Sequence, residues 1–409
     1  MNENNQKFKN DKFIVEKEGL ANFFLHSVDK NNIPSKSMVV FYNKKMEINR
    51  DITNLAIIAY NKLFNQNKLV IVDSMAASGI GSIRMLKECK NIKKIYINDI
   101  NPMAIDLIKK NIQINNLKDI ESLIKISKKS ANLLFSELAL MKQDEKPDII
   151  SIDPFGTPNL YIDSAFKAIK KKNSLICITA TDTPVLFGIR KKACLRKYMS
   201  MPLHTEYCKE IGARILIYFI SRIANINNLG ISPLLTFYSN HFIRFFALTY
   251  KNKERIFENI NKFGYIIHCS HCGHRMSFTD DILKILGKCP LCNKSQKIVS
   301  AGPLWLGNMH RTNFIEELIN LNEDCNYNNK NRIKKILNLI VEENDMPITY
   351  YNLHRLSKEL RLSNIPKIEK IINEIKKKKN YKASRTHFDF LSIKTSMNIK
   401  ALKKLLLSL

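Results

Sequence analysis

The chain alternates short apolar runs, rich in β-branched residues, with longer stretches whose apolar positions recur every three or four residues. "KLVIVDSMA" (68–76) reads as a strand running into a loop, and "GSIRMLKECK" (81–90) as a helix. "IKKIYINDI" (92–100) is the next strand and "PMAIDLIKKNIQIN" (102–115) the next helix. "SLIKIS" (122–127), "PDIISID" (147–153) and "SLICITATD" (174–182) are further strands. "ACLRKYM" and "EYCKEIGARILIYFISRIANI" (206–226) read as helices, and "PLLTFYS" with "HFIRFFALTY" (241–250) as a closing pair of strands. Strands that are apolar throughout belong to a sheet covered on both faces, and their alternation with helices makes that sheet parallel. The pattern predicts an α/β fold, a doubly wound Rossmann-like sheet, over residues 1–250.

The pattern changes after residue 250. A segment from about 251 to 310 carries paired cysteines, and "EDCNYNNKN" reads as a polar linker. Helical periodicity returns in "RIKKILNLIVEEND" (332–345), "TYYNLHRLSKELRL" (349–362) and "IPKIEKIINEIKKKKN" (365–380), and "YKASRTHFDFLSIKTSM" (381–397) reads as a strand pair. Three helices and a hairpin fit a winged-helix module, which often binds nucleic acid, and fit equally a small packing domain. The expected second domain is 251–409, α+β in class, with an insertion at about 265–297. No internal repeat interrupts this layout.

Charge narrows the choice of partner. Sixty-six Lys and Arg face 37 Asp and Glu, a net charge of +29. Such an excess suits a polyanion, nucleic acid before an acidic membrane. The chain is rich in Lys, Asn and Ile, as an AT-rich genome would make it, so arginines inside motifs weigh more than lysine runs. The N-terminal "MNENNQKFKNDKF" lacks an apolar signal core, and no apolar stretch is long enough to span a bilayer. The expectation is a soluble, cytoplasmic protein.

Of nine cysteines, four form two C-x-x-C pairs, Cys269/Cys272 and Cys289/Cys292, with 16 residues between them. That spacing is a four-cysteine zinc pattern in a reducing compartment rather than a disulfide framework. Four thiolates leave no open coordination position, so the zinc is structural. Gly273 and Gly287 suit the tight turns, and His268, His271 and His274 read as surface residues rather than ligands. The remaining cysteines read as small buried residues.

Two loops carry candidate chemistry. In "VDSMAASGIG" a strand enters a loop of small residues (Ala76, Ala77, Ser78, Gly79) before a helix, letting backbone approach a ligand closely. Asp99 ends the next strand 20 positions after Gly79, where such folds hold ribose hydroxyls. The G-x-G-x-x-G dinucleotide pattern is absent, and the loop is closer to one that binds S-adenosylmethionine. In "SIDPFGTP" (151–158) a strand delivers Asp153 and stops on Pro154, Gly156 and Pro158. Alone that is an ordinary turn. With the cofactor loop it resembles the amino-methyltransferase layout. An exocyclic amine is a weak nucleophile because its lone pair is delocalised. The Asp153 carboxylate and the Pro154 carbonyl can accept both amine hydrogens and turn the lone pair outward, while Phe155 stacks on the base.

Longer stretches resemble one family. "VFYNKKMEINRD" (40–51), "IDPFGTP" (152–158), "TATDTPVLFG" (179–188), "CLRKY" (194–198), "GARIL" (212–216), "GPLWLG" (302–307) and "SRTHF…IKTS" (384–396) are similar, in order, to the tRNA guanine-N2 dimethyltransferases acting at guanosine 26, in their compact archaeal-type form. The resemblance implies two methyl transfers from S-adenosylmethionine to N2 of one guanine, with Asp153 as the catalytic acid and Pro154 beside it. It implies that Phe41 and Phe155 flank the guanine, although by composition alone both read rather as core aromatics. It implies cofactor contacts at Arg50, Ala76, Ser78, Gly79, Gly81, Asp99, Ser130 and Ala131. Ser130 stands where the family usually has Asp, and Gly81 where it often has Arg; Arg84 is kept, and Arg50 would carry more of the contact to the methionine carboxylate. Arg50 beside Asp51 also reads as a helix-start ion pair. The implied partner is tRNA, with no membrane and no obligate protein partner. The alternatives are an N2- or N6-methyltransferase acting on rRNA or another nucleic acid, and a non-catalytic RNA-binding relic.

Overall fold

The computed structural model describes residues 13–27, 38–65, 67–279, 288–295 and 297–409. The polar N-terminal stretch before Phe13 and Gly287 lie outside the described residues. The described chain begins with an antiparallel hairpin, β1 (Phe13–Glu18) and β2 (Ala21–His26). A helix, Glu47–Tyr60, leads to a seven-stranded sheet.

Its strands are β3 (Leu69–Asp73), β4 (Ile92–Asn98), β5 (Ile124–Ser127), β6 (Ile149–Ile152), β7 (Ser174–Ala180), β8 (Gly230–Ser239) and β9 (Phe242–Tyr250), in the order β5-β4-β3-β6-β7-β9-β8. The first five are parallel, and β9 runs antiparallel to β7 and β8. Every residue of β3, β6 and β7 is buried, as continuous apolar runs require when helices cover both faces. The chain builds outward from β3 through β4 to β5, then returns to lay β6 on the other side of β3. That reversal opens a crevice at the carboxyl ends of β3 and β6, where ligands bind in such sheets.

Beyond Tyr250, β10 (Phe263–Cys269), β11 (Arg275–Phe278) and β12 (Ile298–Trp305) form an antiparallel sheet ordered β11-β10-β12. Its Ile266, Leu304 and Trp305 share a core with Ile215 and Phe219 of helix Cys208–Ile226. Helices Thr312–Asp324 and Lys330–Glu343 pack Phe314, Leu318, Ile336 and Ile340 into the core that holds Ile52 and Leu55. After these come β13 (Tyr351–Asn352), helices Leu353–Glu359 and Ile368–Lys377, β14 (Ala383–Arg385) and β15 (Ser392–Thr395), with sheet order β13-β15-β14. Helix, strand, two helices and a hairpin in this order have winged-helix topology. The helix expected over 349–362 is shorter, because Tyr351 and Asn352 pair with β15 and the Asn352 side chain caps the helix by accepting from Arg355 N–H. A last helix, Ile399–Leu407, was not read from the sequence; Leu402 and Leu406 seal this module's own core.

"EDCNYNNKN" is not a free linker. Tyr327 Oη donates to Glu88 (2.8 Å), Asn328 Nδ2 to Glu47 (2.9 Å) and Asn329 Nδ2 to Asp51 (2.9 Å). The segment straps the two halves of the chain together through polar contacts that hydropathy does not register.

Candidate active site

A cavity of about 660 Å³ lies in the crevice. Three strands end in carboxylates beside it: Asp73 on β3, Asp99 after β4 and Asp153 after β6. Parallel strands put their carboxyl ends on one edge of a sheet, so residues 80 positions apart meet there.

The small-residue loop forms one wall. Ala76, Ser78 and Gly81 line the cavity, and Ala77 adopts a left-handed backbone (φ 49). Gly79 also has positive φ (+77) and caps helix Ile80–Glu88, but it faces away from the cavity: a Cβ there would lie 2.9 Å from Ile108 Cγ1. At Gly81 a Cβ would meet only Asp73 Oδ2 at 3.6 Å and Arg50 Cδ at 3.9 Å, which leaves room beside the wall. Asp99 accepts from Ala77 N–H (2.8 Å) and Asn101 N–H (2.9 Å), which fix its carboxylate toward the loop. Ser130 and Ala131 line the far side, where Ser130 Oγ accepts from Leu133 N–H (3.3 Å) as a helix cap.

Arg50 lines the cavity but is not paired with Asp51. Its guanidinium meets Glu18 through two short bonds (2.6 and 2.7 Å), and Asp51 pairs instead with Arg84 (2.7 Å). Successive residues of a helix point about 100° apart, so Arg50 and Asp51 face different neighbours. Arg84 is fully buried and also holds Glu18 (2.8 Å) and Glu88 (2.9 Å). Burial alone would raise Glu18, yet Arg50 and Arg84 outweigh it and hold its carboxyl down at about 2. Asp51 is pushed up to about 6 by burial, despite Arg84. Three carboxylates share two guanidiniums here, and Asp51 is the one left under-compensated.

Asp153 Oδ2 accepts from Asn49 Nδ2 (3.1 Å). Beneath it Arg244, buried on β9, donates to the hydroxyls of Thr179 (2.8 Å), Thr53 (3.1 Å) and Ser151 (3.2 Å). Pro154 and Phe155 follow Asp153 on the cavity wall, with Phe41 opposite. Phe155 is 50% exposed and so is no core aromatic. The two rings touch edge to face, centroids 4.4 Å apart and planes at 81°, rather than standing apart. A base enters between them only if one ring turns away, since a stacked base needs about 3.5 Å on each face. The loop is braced by Gly156 N–H donating to Thr181 Oγ1 (2.7 Å). This gives "TATDTP" a role as the loop's support.

Sequence reasoning missed Asp73, Asn49, Glu18, Arg244 and His241. Asp73, like Asp99, ends an apolar strand, but it lacks the spacing from the small-residue loop that marked Asp99. Burial pushes it up to about 6, against the Ser82 hydroxyl bond and with help from the charges of Asp153 and Asp99. His241 lies below its usual range through burial and Lys45, with Asp153 acting the other way. No local pattern marks Glu18, Asn49 or His241.

The second site is the cysteine quartet. The sulfurs of Cys269, Cys272, Cys289 and Cys292 all lie within 4.8 Å of one another, with 3.7 Å from Cys269 to Cys292 and 3.6 Å from Cys272 to Cys289. Zinc bonds of about 2.3 Å in a tetrahedron need sulfurs about 3.8 Å apart, so the quartet fits zinc. Each pair forms the same turn: Gly273 N–H donates to Cys269 O (2.9 Å) and Asn293 N–H to Cys289 O (2.8 Å), both residues at positive φ (78 and 58). Asn293 thus fills in the second turn the place that Gly273 fills in the first. His268 is not a surface residue: it is buried, with Nδ1 2.8 Å from Tyr207 Oη. His271 is exposed and His274 partly so, and neither joins the quartet.

The reversed sheet, the small-residue loop, the acid after β4 and the Asp-Pro-Phe end of β6 define a class I methyltransferase of the type that uses S-adenosylmethionine. The particular family follows from comparison: the chain belongs to the N2,N2-dimethylguanosine tRNA methyltransferases, whose family model matches residues 21–407. A tRNA (guanine(26)-N(2))-dimethyltransferase from Methanosphaera stadtmanae is 36% identical, covering 98% of this chain and 97% of its own. A tRNA (guanine(26)-N(2)/guanine(27)-N(2))-dimethyltransferase from Aquifex aeolicus is 31% identical over 95% of each. The solved complex of Trm1 from Pyrococcus horikoshii with S-adenosyl-L-methionine superposes with a TM-score of 0.80 at 29% identity, covering 96% of this chain and 99% of that one.

Proposed function

We propose that this protein transfers two methyl groups from S-adenosylmethionine to N2 of guanosine 26 in tRNA. The observation that carries the reading is the meeting of Asp99, the small-residue loop and Asp153 around one cavity, in a chain of this family. The residues suit the cofactor. Asp99 offers acceptors for ribose hydroxyls, and Ala76, Ser78 and Gly81 leave backbone accessible. Gly79 sets the turn, Arg50 on the cavity wall would hold the methionine carboxylate, and Ser130 with Ala131 would border the adenine. When bound, S-adenosylmethionine supplies an electrophilic sulfonium methyl.

The chain's own residues prepare the amine. Asp153, steadied by Asn49, accepts one N2–H and the Pro154 carbonyl accepts the other, so the lone pair points at the methyl. As N2 gains carbon it loses a proton, which Asp153 takes up. Phe41 and Phe155 part to hold the base, which must leave its stack to reach the cavity. The product retains one N–H for a second round. The catalytic unit spans residues 1–250, and the part beyond 250, with its structural zinc, grips tRNA phosphates.

The test is methyl transfer in vitro. Unmodified tRNA carrying G26 is incubated with labelled S-adenosylmethionine, beside a G26→A transcript and the Asp153→Ala enzyme, and digested nucleosides are read by mass spectrometry. N2,N2-dimethylguanosine should appear only with wild-type enzyme and G26. Equal labelling of the G26→A transcript would move the target elsewhere. No labelling of any tRNA would favour rRNA or a binding-only role.

A further inference from the structure

The segment after the Thr181 brace carries no acid from Thr183 to Thr205, yet places Arg190, Lys191, Lys192, Arg196 and Lys197 within eight residues. Most of them sit on the short helix Lys191–Tyr198. Arg190, Lys191, Lys192 and Arg196 are exposed, and among the described residues none has a carboxylate partner. Lys197 alone meets an acid, Asp182, at 3.4 Å. A solvated helix face in a chain of this composition is usually interleaved with acids, and the two arginines here are not explained by lysine drift.

The helix is fastened to the catalytic loop. Tyr198 is fully buried, donates to Asp182 Oδ1 (2.8 Å) and accepts from Thr157 Oγ1 (3.3 Å). Asn159 Nδ2 donates to Lys197 O (2.5 Å). The loop holding Asp153 and Phe155 is therefore hydrogen-bonded to Thr181 on one side and to this helix on the other. Apolar side chains stand exposed among the cations: Ile189 at 64%, Leu195 at 45% and Met199 at 54%. Unpaired cations fit phosphates, and apolar groups between them fit ribose and base faces, a mixture suited to RNA rather than to a plain anion.

We infer that helix Lys191–Tyr198, with Arg190 before it, is an RNA-gripping element that binds the phosphates flanking the target nucleotide. It is separate from the grip assigned to the C-terminal part. The inference rests on the reading of tRNA as substrate. Its function is local: it holds the backbone beside the loop that receives the extruded base, so that base and carboxylate are brought to register together.

The test compares wild-type protein with R190Q/K192Q/R196Q, and with K93Q/K109Q/K171Q as a charge-matched control at exposed positions away from the cavity and from the C-terminal part. Labelled tRNA transcript is titrated by fluorescence anisotropy at several KCl concentrations, and S-adenosylmethionine binding by calorimetry reports the fold of each variant. The R190Q/K192Q/R196Q variant should bind tRNA at least tenfold more weakly at 0.15 M KCl. Its log Kd against log salt slope should fall by about 2, since each lost phosphate contact removes about 0.7–0.9. Cofactor affinity should stay within twofold. A variant that binds tRNA as the control does overturns the inference, as does wild-type protein with no salt-dependent affinity for tRNA. Wild-type protein that shows the expected binding pattern but makes no N2-methylguanine would leave the grip standing and remove the reaction proposed above.

Discussion

Asp73 sits at the end of β3 with its carboxylate against Ser82 Oγ (2.6 Å), facing a cavity that already holds Asp99 and Asp153. Burial raises its pKa from 3.8 to about 6. The folded protein therefore keeps a proton that the unfolded chain releases. The stabilisation is complete below about 3.8 and is lost as pH rises through 6. Asp73→Asn removes that liability. Its melting temperature should exceed wild type by a few degrees at pH 8 and match it at pH 4, a free-energy difference of about 3 kcal/mol at most. A gain of equal size at both pH values would assign the effect to packing instead. Asp99 was legible in the sequence because it ends an apolar strand 20 positions after Gly79, and Asp153 because its strand stops at once on Pro154 and Gly156. Asp73 had the strand end without either of those second signals. Glu18 and Asn49 act through space, across 32 and 104 positions from their partners Arg50 and Asp153, and no local pattern announces such contacts.

At the scale of elements, the sheet strands were legible because burial on both faces forces continuous apolar runs, whereas the strap at Tyr327–Asn329 was not, because its work is done by polar groups. Arg84 lies over the Tyr327 ring at 5.0 Å, and Glu88 accepts from Tyr327, Asn54 and Arg84. Removing a donor from a buried carboxylate leaves that group under-satisfied, at a cost of about 1–3 kcal/mol. Tyr327→Phe and Asn329→Ala should each lower the melting temperature by several degrees. Asn329→Ala should also weaken S-adenosylmethionine binding in calorimetry, because Asp51, deprived of its amide donor, competes with Glu18 for Arg84 and loosens the seat of Arg50. Loss of stability with unchanged cofactor affinity would confine the strap to holding the two halves together.

At the scale of the molecule, the cysteine quartet stands between the catalytic sheet and the winged-helix module. Leu291, between Cys289 and Cys292, packs against the module's core, and Gly273 lies where a Cβ would be 3.5 Å from Ile399 Cγ1. On its other side β10 carries His268 to Tyr207 at the start of helix Cys208–Ile226. The spacing of the cysteines made the metal legible; that the knuckle is a joint was not, because both of its neighbours are distant in sequence. Four sulfurs this close repel once ionised unless a divalent cation holds them, so zinc removal should open the joint without reaching the cofactor cavity. Elemental analysis should find one zinc per chain. Treatment with a strong chelator, or Cys272→Ser, should leave S-adenosylmethionine affinity within twofold, add an early unfolding transition in calorimetry, and weaken tRNA binding at least tenfold, because the winged-helix cations would no longer be held in register with the cavity. Equal losses of cofactor and tRNA affinity would instead make the zinc a support of the whole fold, and unchanged tRNA affinity would place the grip on the catalytic half alone.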